Sequence, residues 1–416
     1  MPEGKKLVIN EDWTAVIFGG LIIAVLLAGL SVPVPSFSWN NGAELTGKVL
    51  SAENLLKILY QFAFVLVIAV LAAVVNGKAV KSFVINFPLV YLLTVVALII
   101  AGNKTLKDLN LEAVIFSLAI GLLIGNFFKL PEWFRNALST ELFVKIGLVL
   151  LGTSVIFGDI LHAGSRGLIQ ALAVVLSVWY FAWWVCRRLK IDDELSMMIS
   201  SAVSICGVSA AIATAGAIKG DSKKLSYVIS LVLVCAIPMM IFMPLIAEYF
   251  HFPQEVTGAW LGGTIDTTGA VVASGTLVGD TALKISTIVK FSQNVLLGVA
   301  AFVISLYWTY TKHPMAKEGK PSGRLIWERF PKFVIGFIAA SLLFSFVISA
   351  EAAATVKNPL KNLQGLWFAL AFTSIGLETR FADLFNNNSK TPLYAFLAAQ
   401  GFNIVVTLVI AWLLFA

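Results

Sequence analysis

The chain has 416 residues, 59% hydrophobic and 13% charged, with a mean hydropathy of +0.89. A soluble domain carries about 25% charged residues, so a water-soluble globule is excluded, and the continuous apolar runs exclude an outer-membrane barrel, whose strands alternate. The net charge of +7 calls for no nucleic acid, because cytoplasmic loops of membrane proteins are commonly basic.

Crossing a bilayer takes about 20 mostly apolar residues. That criterion predicts an all-α, polytopic protein of the cytoplasmic (inner) membrane with about 13 transmembrane helices. They fall near 13–30, 55–76, 83–101, 111–128, 139–158, 167–186, 194–218, 225–249, 258–279, 282–310, 328–350, 362–378 and 392–416. The first lacks a small-residue cleavage site and reads as a retained helix rather than a signal peptide. Lys78, Lys81, Arg187, Arg188, Lys190 and the stretch from Lys312 to Arg329 fall on one side under this count. The excess of positive charge places that side, and the N-terminus, in the cytoplasm; KGDSKK at 219–224 goes against it.

Residues 1–101 form a three-helix extension, and the rest divides into five helices (111–249) and five more (258–416). Two similar halves with an odd number of helices have opposite topology, the inverted-repeat plan of many secondary transporters. The fourth helix of each set contains a short echo, SICG at 204–207 and SIGL at 374–377. The first helix of each set has a glycine-rich centre, GLLIGN at 121–126 and GGT at 262–264.

The seventh segment is unusual. Of the eighteen residues from Ser200 to Ala217, fourteen are Ala, Gly, Ser, Thr or Cys, where a lipid-facing helix would carry Leu, Ile, Phe and Val. Small residues let helices approach closely in lipid. Gly207 and Ser204 also allow local unwinding, and half-helix ends then hold ions. Composition alone leaves close packing and a broken-helix site both open.

Four stretches resemble the sulfate-exporter family known as YeiH: SxxSICGxSAAxA at 201–213, WLGGTIDTTGAVVASG at 260–275, VKFSQN at 289–294 and IGLETRF at 375–381. The resemblance runs from about residue 111 to the C-terminus. It implies kinship with the bile-acid/sodium symporter and sodium/proton antiporter folds, with a core domain, a panel domain and two crossing broken helices. The implied pair is 194–218 and 362–384. Three motifs depart from that family's pattern: Ile265, Asp266, Thr267, Thr268, Gly269 and Ala270 stand where it has Ile-His-Asp-Thr-Ala-Gln, Lys290 and Gln293 where it has Lys-x-x-Arg, and Gly376, Leu377, Glu378 and Thr379 where it has Gly-Leu-Asn-Thr.

Ionisable residues inside a membrane are costly and by default mark a site, a partner or a pathway. Asp266 lies near the middle of its segment, with Thr264 and Thr268 one helical turn apart around it and Thr267 alongside. Lys290 lies equally deep, and Thr287, Lys290, Gln293 and Asn294 form one polar stripe. Each charge has a structural alternative, a neighbouring backbone for Asp266 and an ion pair with Asp266 for Lys290. The candidate substrate-binding residues are Ser204, Cys206, Gly207, Ser209, Thr264, Thr267, Thr268, Lys290, Gln293, Ser374 and Gly376, and the candidate coupling-ion residues are Asp266 and Glu378.

The reading is a secondary transporter, in the export direction, of a small anionic solute such as sulfate, a sulfonate or a carboxylate. It works by alternating access, with sodium or proton coupling as an option. An uncoupled channel or uniporter is the alternative. No enzyme is expected: there is one deep Asp, and Cys186, Cys206, Cys235, His162, His251 and His313 form no metal-ligand spacing. No phosphate-binding loop occurs. The expected partners are the solute and the lipid bilayer, without nucleic acid or cofactor; a homodimer is left open.

Overall fold

The computed structural model describes residues 9–78, 80–108, 113–135, 138–311, 324–379 and 390–416. Most of the basic stretch that begins at Lys312, together with Arg380 and Phe381, lies outside the described residues. In chain order the main helices are α1 (Glu11–Leu27), α2 (Ala52–Val75), α3 (Val80–Ala101), α4 (Ala113–Phe127), α5 (Thr140–Gly152), α6 (Phe157–Arg188), α7 (Asp193–Ser201), α8 (Val208–Ile218), α9 (Ser222–Tyr249), α10 (Gln254–Thr264), α11 (Thr268–Val278), α12 (Asp280–Thr311), α13 (Phe333–Leu342), α14 (Ala350–Glu378) and α15 (Thr391–Phe415). The described residues form no named strand. Six helices, α2, α3, α6, α9, α12 and α15, are long and apolar enough to cross a membrane. Their exposed Leu, Val, Tyr and Trp side chains, such as Leu56, Leu92, Tyr180 and Leu413, are what a lipid-facing surface requires.

Contacts divide the chain into two compact units, Met1–Phe157 with Lys332–Arg380, and Gly158–Pro331 with Phe381–Ala416. In the first, α4 and α14 approach backbone to backbone. A Cβ at Gly376 would meet Leu118 O and Leu122 N at 2.6 Å, and one at Gly125 would meet Gly376 O at 2.8 Å. Helix α1 is held to α5 by charge: Lys145 lies 3.0 Å from Asp12 and 3.5 Å from Glu11. In the second unit α12 packs against α8, α10 and α11. The start of α7 is tied to α9 by Lys224, which bonds Asp192 at 2.7 Å and Glu194 at 3.1 Å.

Of the broken helix implied at 362–384, residues 362–378 belong to one continuous helix, α14, which ends where Thr379 turns extended. Thr373 and Ser374 return their hydroxyls to Ala369 O and Leu370 O of their own helix, and Gly376 is not among the positive-φ residues. Residues 380–384 of that expectation lie outside the described residues. The segment 258–279, expected as one helix, is instead two, α10 and α11, separated by Ile265, Asp266 and Thr267.

Candidate functional site

The candidate site lies in the second unit, where two helical rods stop and restart beside each other. Asp192 starts α7 by accepting from Leu195 N. The rod widens into a π-turn at Ala202–Cys206 and ends at Gly207, whose φ of 58° and ψ of −114° no α-helix continues. Helix α8 then begins at Val208. Glycine is required here on two grounds. Its φ is positive, which costs an L-residue about 1–2 kcal/mol, and a Cβ would sit 2.7 Å from Val232 Cγ1 and 3.0 Å from Asp266 Cβ. The second rod stops at Thr264. Ile265 turns extended at φ −72°, ψ 130°, and Thr267 restarts the helix by accepting from Ala270 N at 3.3 Å.

Each stopped helix leaves its last carbonyls without intrahelical partners, at the negative end of its dipole. Donors from α12 and α15 meet them. Lys290 of α12 donates to Ile205 O at 2.9 Å on the first rod, Ile265 O at 2.8 Å on the second, and Gln293 Oε1 at 3.0 Å. Three acceptors use all three N–H groups of an ammonium, one more than a neutral amine has, so the geometry fits charged Lys290. Gln293 donates to Gly263 O at 2.8 Å and Ser204 O at 3.4 Å. From α15, Asn403 bridges Val203 O and Thr264 O at 3.1 and 3.2 Å, and Gln400 reaches Thr264 O at 3.1 Å. One cation and three amides thus clamp the two rods together.

The acceptors on the other side of the ledger are bare. Asp266 is 1% exposed; its carboxyl oxygens make no close hydrogen bond, and Gln400 is the polar side chain set against them. Thr264 Oγ1, Thr287 Oγ1, Asn294 Oδ1 and Gln400 Oε1 make none either. Buried polar atoms are normally bonded; others without a partner lie elsewhere in the chain, among them Gln170 Oε1 and Thr257 Oγ1. Helices α8 and α11 start beside Asp266, after Gly207 and Thr267, with their positive dipole ends there, and Gly207 supplies α8 with no side-chain cap.

The residues singled out from the sequence divide between the two units. Lys290, Gln293, Thr264, Asp266, Ser204 and Gly207 meet at the clamp. The Ser204 hydroxyl goes to Ser200 O, so it is the Ser204 carbonyl that takes part. Cys206 is buried in the π-turn and in no disulfide. Thr267 caps α11, and Thr268 accepts from Asn294 at 3.3 Å. Ser209 is exposed. Ser374, Gly376 and Glu378 belong to the first unit, where Ser374 bonds its own helix, Gly376 packs on α4, and Glu378 ends α14 with Thr140 and Lys78 nearby. Gln400 and Asn403 were missed. Their signal was present: Gln400, Asn403 and Thr407 recur at helical spacing on one face of an otherwise apolar segment. Among the described residues no group of three His, Cys, Asp or Glu is placed to hold a metal ion.

Comparison with known proteins gives relatives without an assigned chemistry. Residues 86–395 match the family model described as Conserved hypothetical protein 698. A UPF0324 membrane protein of Rhodopirellula baltica is 41% identical over 368 residues, covering 84% of this chain and 67% of the relative. Another from Nitratidesulfovibrio vulgaris is 40% identical over 353 residues, covering 82% of this chain and 60% of its own length, so the chain spans under two thirds of that relative. A third, from Nitrosomonas europaea, is 28% identical over 97% of this chain and 95% of the relative. No solved structure matches.

Proposed function

The chain belongs to the UPF0324 family of membrane proteins, and from that premise we propose that it is a secondary transporter of a small anionic solute, such as sulfate, a sulfonate or a carboxylate, exporting it by alternating access. One observation carries the reading: Lys290 bonds the last carbonyls of two separate interrupted helices, Ile205 O and Ile265 O. Interrupted helices that meet inside a membrane protein are how secondary transporters place backbone charge at an ion or substrate site, and irregular backbone at such depth is tolerated only where it is buried in protein or lines a cavity.

The pair in this reading is α7–α8 with α10–α11. It differs from the pair the family resemblance implied, which used 362–384, and it makes the second unit the core of the transporter. The anion is received by the N-termini of α8 and α11. Their dipole ends and N–H groups favour negative charge, and the Lys290 ammonium adds a full positive charge close by. The polar amides of Gln293, Gln400 and Asn403 hold the backbone rigid around the break, so the solute meets donors already in place.

The test is solute counterflow in proteoliposomes, with radiolabelled sulfate and a set of sulfonates and carboxylates on the opposite side. Saturable exchange that disappears in Gly207→Leu supports the reading. Electrogenic flux without counterflow would identify a channel or uniporter instead, and no flux of any anion in folded protein overturns the proposal.

A further inference from the structure

We propose that α7–α8 and α10–α11 are two re-entrant helical hairpins, which enter the membrane from opposite faces and meet tip to tip at the Lys290 clamp. The topology stands on geometry and loop charge; it rests on the transporter reading only for its consequence.

None of the four helices is long enough to cross. They have 9, 11, 11 and 11 residues. At 1.5 Å per residue each spans about 14–16 Å, half of a hydrocarbon core about 30 Å thick. Two such helices could still cross if they ran on in one direction, but the ends of each pair lie together. Laid end to end, α10 and α11 would hold Gln254 and Gly279 about 37 Å apart, yet a Cβ at Gly279 would lie 2.9 Å from the Gln254 side chain. Met198 of α7 and Gly220, just past α8, would be about 33 Å apart, yet a Cβ at Gly220 would touch the Met198 methyl. Lys224 closes the same mouth by bonding Asp192 at 2.7 Å and Glu194 at 3.1 Å. Both pairs therefore double back at the break.

Helix α12, one of the six long enough to cross, gives both hairpins their direction. A Cβ at Gly258 would meet Ala282 O at 2.8 Å, and eight residues along α12 Lys290 bonds Ile265 O at 2.8 Å. So α10 runs beside α12 from its N-terminal end inward. Helix α11 returns: Asn294 reaches Thr268 at 3.3 Å, and a Cβ at Gly275 would meet Leu283 Cα at 2.9 Å. The other hairpin uses the far half of α12. From Ile205 O at Lys290, α8 continues so that Ala210 and Ala213 share a small core cluster with Leu297 and Ala301. The two hairpins approach Lys290 from opposite ends of one crossing helix.

Burial and charge agree with this. Irregular backbone at membrane depth is tolerated where protein surrounds it or a cavity is lined by it, and residues 195–201, 256–264 and 269–275 are all buried. A crossing α7–α8 would put KGDSKK at 219–224 opposite Arg187, Arg188 and Lys190, against the positive-inside rule. A hairpin puts all of these basic residues on the cytoplasmic side and removes the exception. The mouth of the second hairpin carries no Lys or Arg in 250–258 or 279–283, which suits the outer face. In an alternating-access transporter each face then has its own barrier over the clamp, α7–α8 toward the cytoplasm and α10–α11 toward the outside.

The experiment labels single cysteines with a membrane-impermeant maleimide in intact and in permeabilised cells. Wild type, whose Cys186 and Cys206 are buried and Cys235 half-buried, is the blank. Lys190, Lys223, Glu255 and Thr281 are all exposed. Crossing segments place 223 opposite 190 and 255 opposite 281, whereas hairpins place the members of each pair together. Lys223→Cys should match Lys190→Cys and stay shielded until the cells are permeabilised. Glu255→Cys should match Thr281→Cys and label in intact cells. Opposite responses within either pair overturn the proposal. Lys219→Cys and Gln254→Cys probe the same two mouths if a first variant fails to insert. Matched pairs in protein without anion counterflow would sink the transport reading and leave the hairpins standing; counterflow with mismatched pairs would do the reverse.

Discussion

Lys290 donates to the carbonyl of Ile265 at 2.8 Å and makes no hydrogen bond to the carboxyl of the very next residue, Asp266. Two opposite charges a short distance apart in an apolar interior are expected to pair. Here the lysine caps helix ends, and the aspartate lies against the Gln400 side chain.

That division predicts how the two charges respond to removal. Were they a simple ion pair, losing one would cost about 3–5 kcal/mol and losing both would be nearly neutral. The observed bonding says otherwise. Lys290→Met bares Ile205 O, Ile265 O and Gln293 Oε1, at about 1–3 kcal/mol for each orphaned acceptor. Asp266→Asn breaks none of these bonds, but it removes the carboxylate beside Gln400 and the counter-charge of buried Lys290. Melting temperatures should therefore fall sharply in Lys290→Met and in the double variant, and less in Asp266→Asn. Recovery of stability in the double variant would contradict the capping role.

The clamp on α15 makes a parallel forecast. Asn403 bridges Val203 O to Thr264 O and is fully buried. Asn403→Leu keeps the volume and removes both bonds together with the Oδ1 that accepts from Thr407 Oγ1 at 2.7 Å, so it should lower stability by at least about 2–4 kcal/mol, taking about 1–2 for each carbonyl left bare. Asn403→Asp should do no better, since it exchanges donors for acceptors that face carbonyls. Thermal unfolding of the detergent-purified variants checks both.

The glycine at the first break is tested by size. Gly207→Ala introduces a Cβ at a φ of 58° that would lie 3.0 Å from Asp266 Cβ and 2.7 Å from Val232 Cγ1. We expect loss of counterflow with detectable, correctly inserted protein, and Gly207→Leu should be worse. A fully active Gly207→Ala would mean that the backbone there relaxes without consequence for the site.

Part of this arrangement was legible in the chain. Membrane embedding follows from composition, and the depth of Asp266 and Lys290 follows from counting along apolar runs. The small residues from Ser200 to Ala217 marked the break at Gly207, because a positive φ and a tight approach both select glycine. The second break was hidden for the opposite reason. Ile265–Asp266–Thr267 contains no glycine or proline, since its extended backbone is one any residue adopts, and what interrupts the helix is the capping of its carbonyls by α12 and α15 from far along the chain. The SIGL echo at 374–377 shows glycine in a second use: Gly207 permits a turn, while Gly376 permits contact between α4 and α14.

That last distinction yields the prediction that separates packing from chemistry. Ser374, Gly376 and Gly207 look alike in sequence, as a serine or glycine within a SIxx motif, yet their surroundings differ. Around Gly376 the neighbours are backbone atoms of α4, Leu118 O and Leu122 N, at 2.6 Å from an added Cβ. Backbone cannot swing aside as a side chain does, so Gly376→Val should separate the two helices and destabilise the first unit, with a loss of expression and of melting temperature. Ser374 is different again: its hydroxyl returns to Leu370 O of its own helix, a bond worth little in a helix that already holds its backbone. Ser374→Ala should leave stability within about 0.5 kcal/mol of wild type and leave counterflow affinity for the solute unchanged. If Ser374→Ala raised the half-saturating solute concentration at constant stability, the serine would be a solute ligand, and the assignment of α14 to packing would have to be withdrawn.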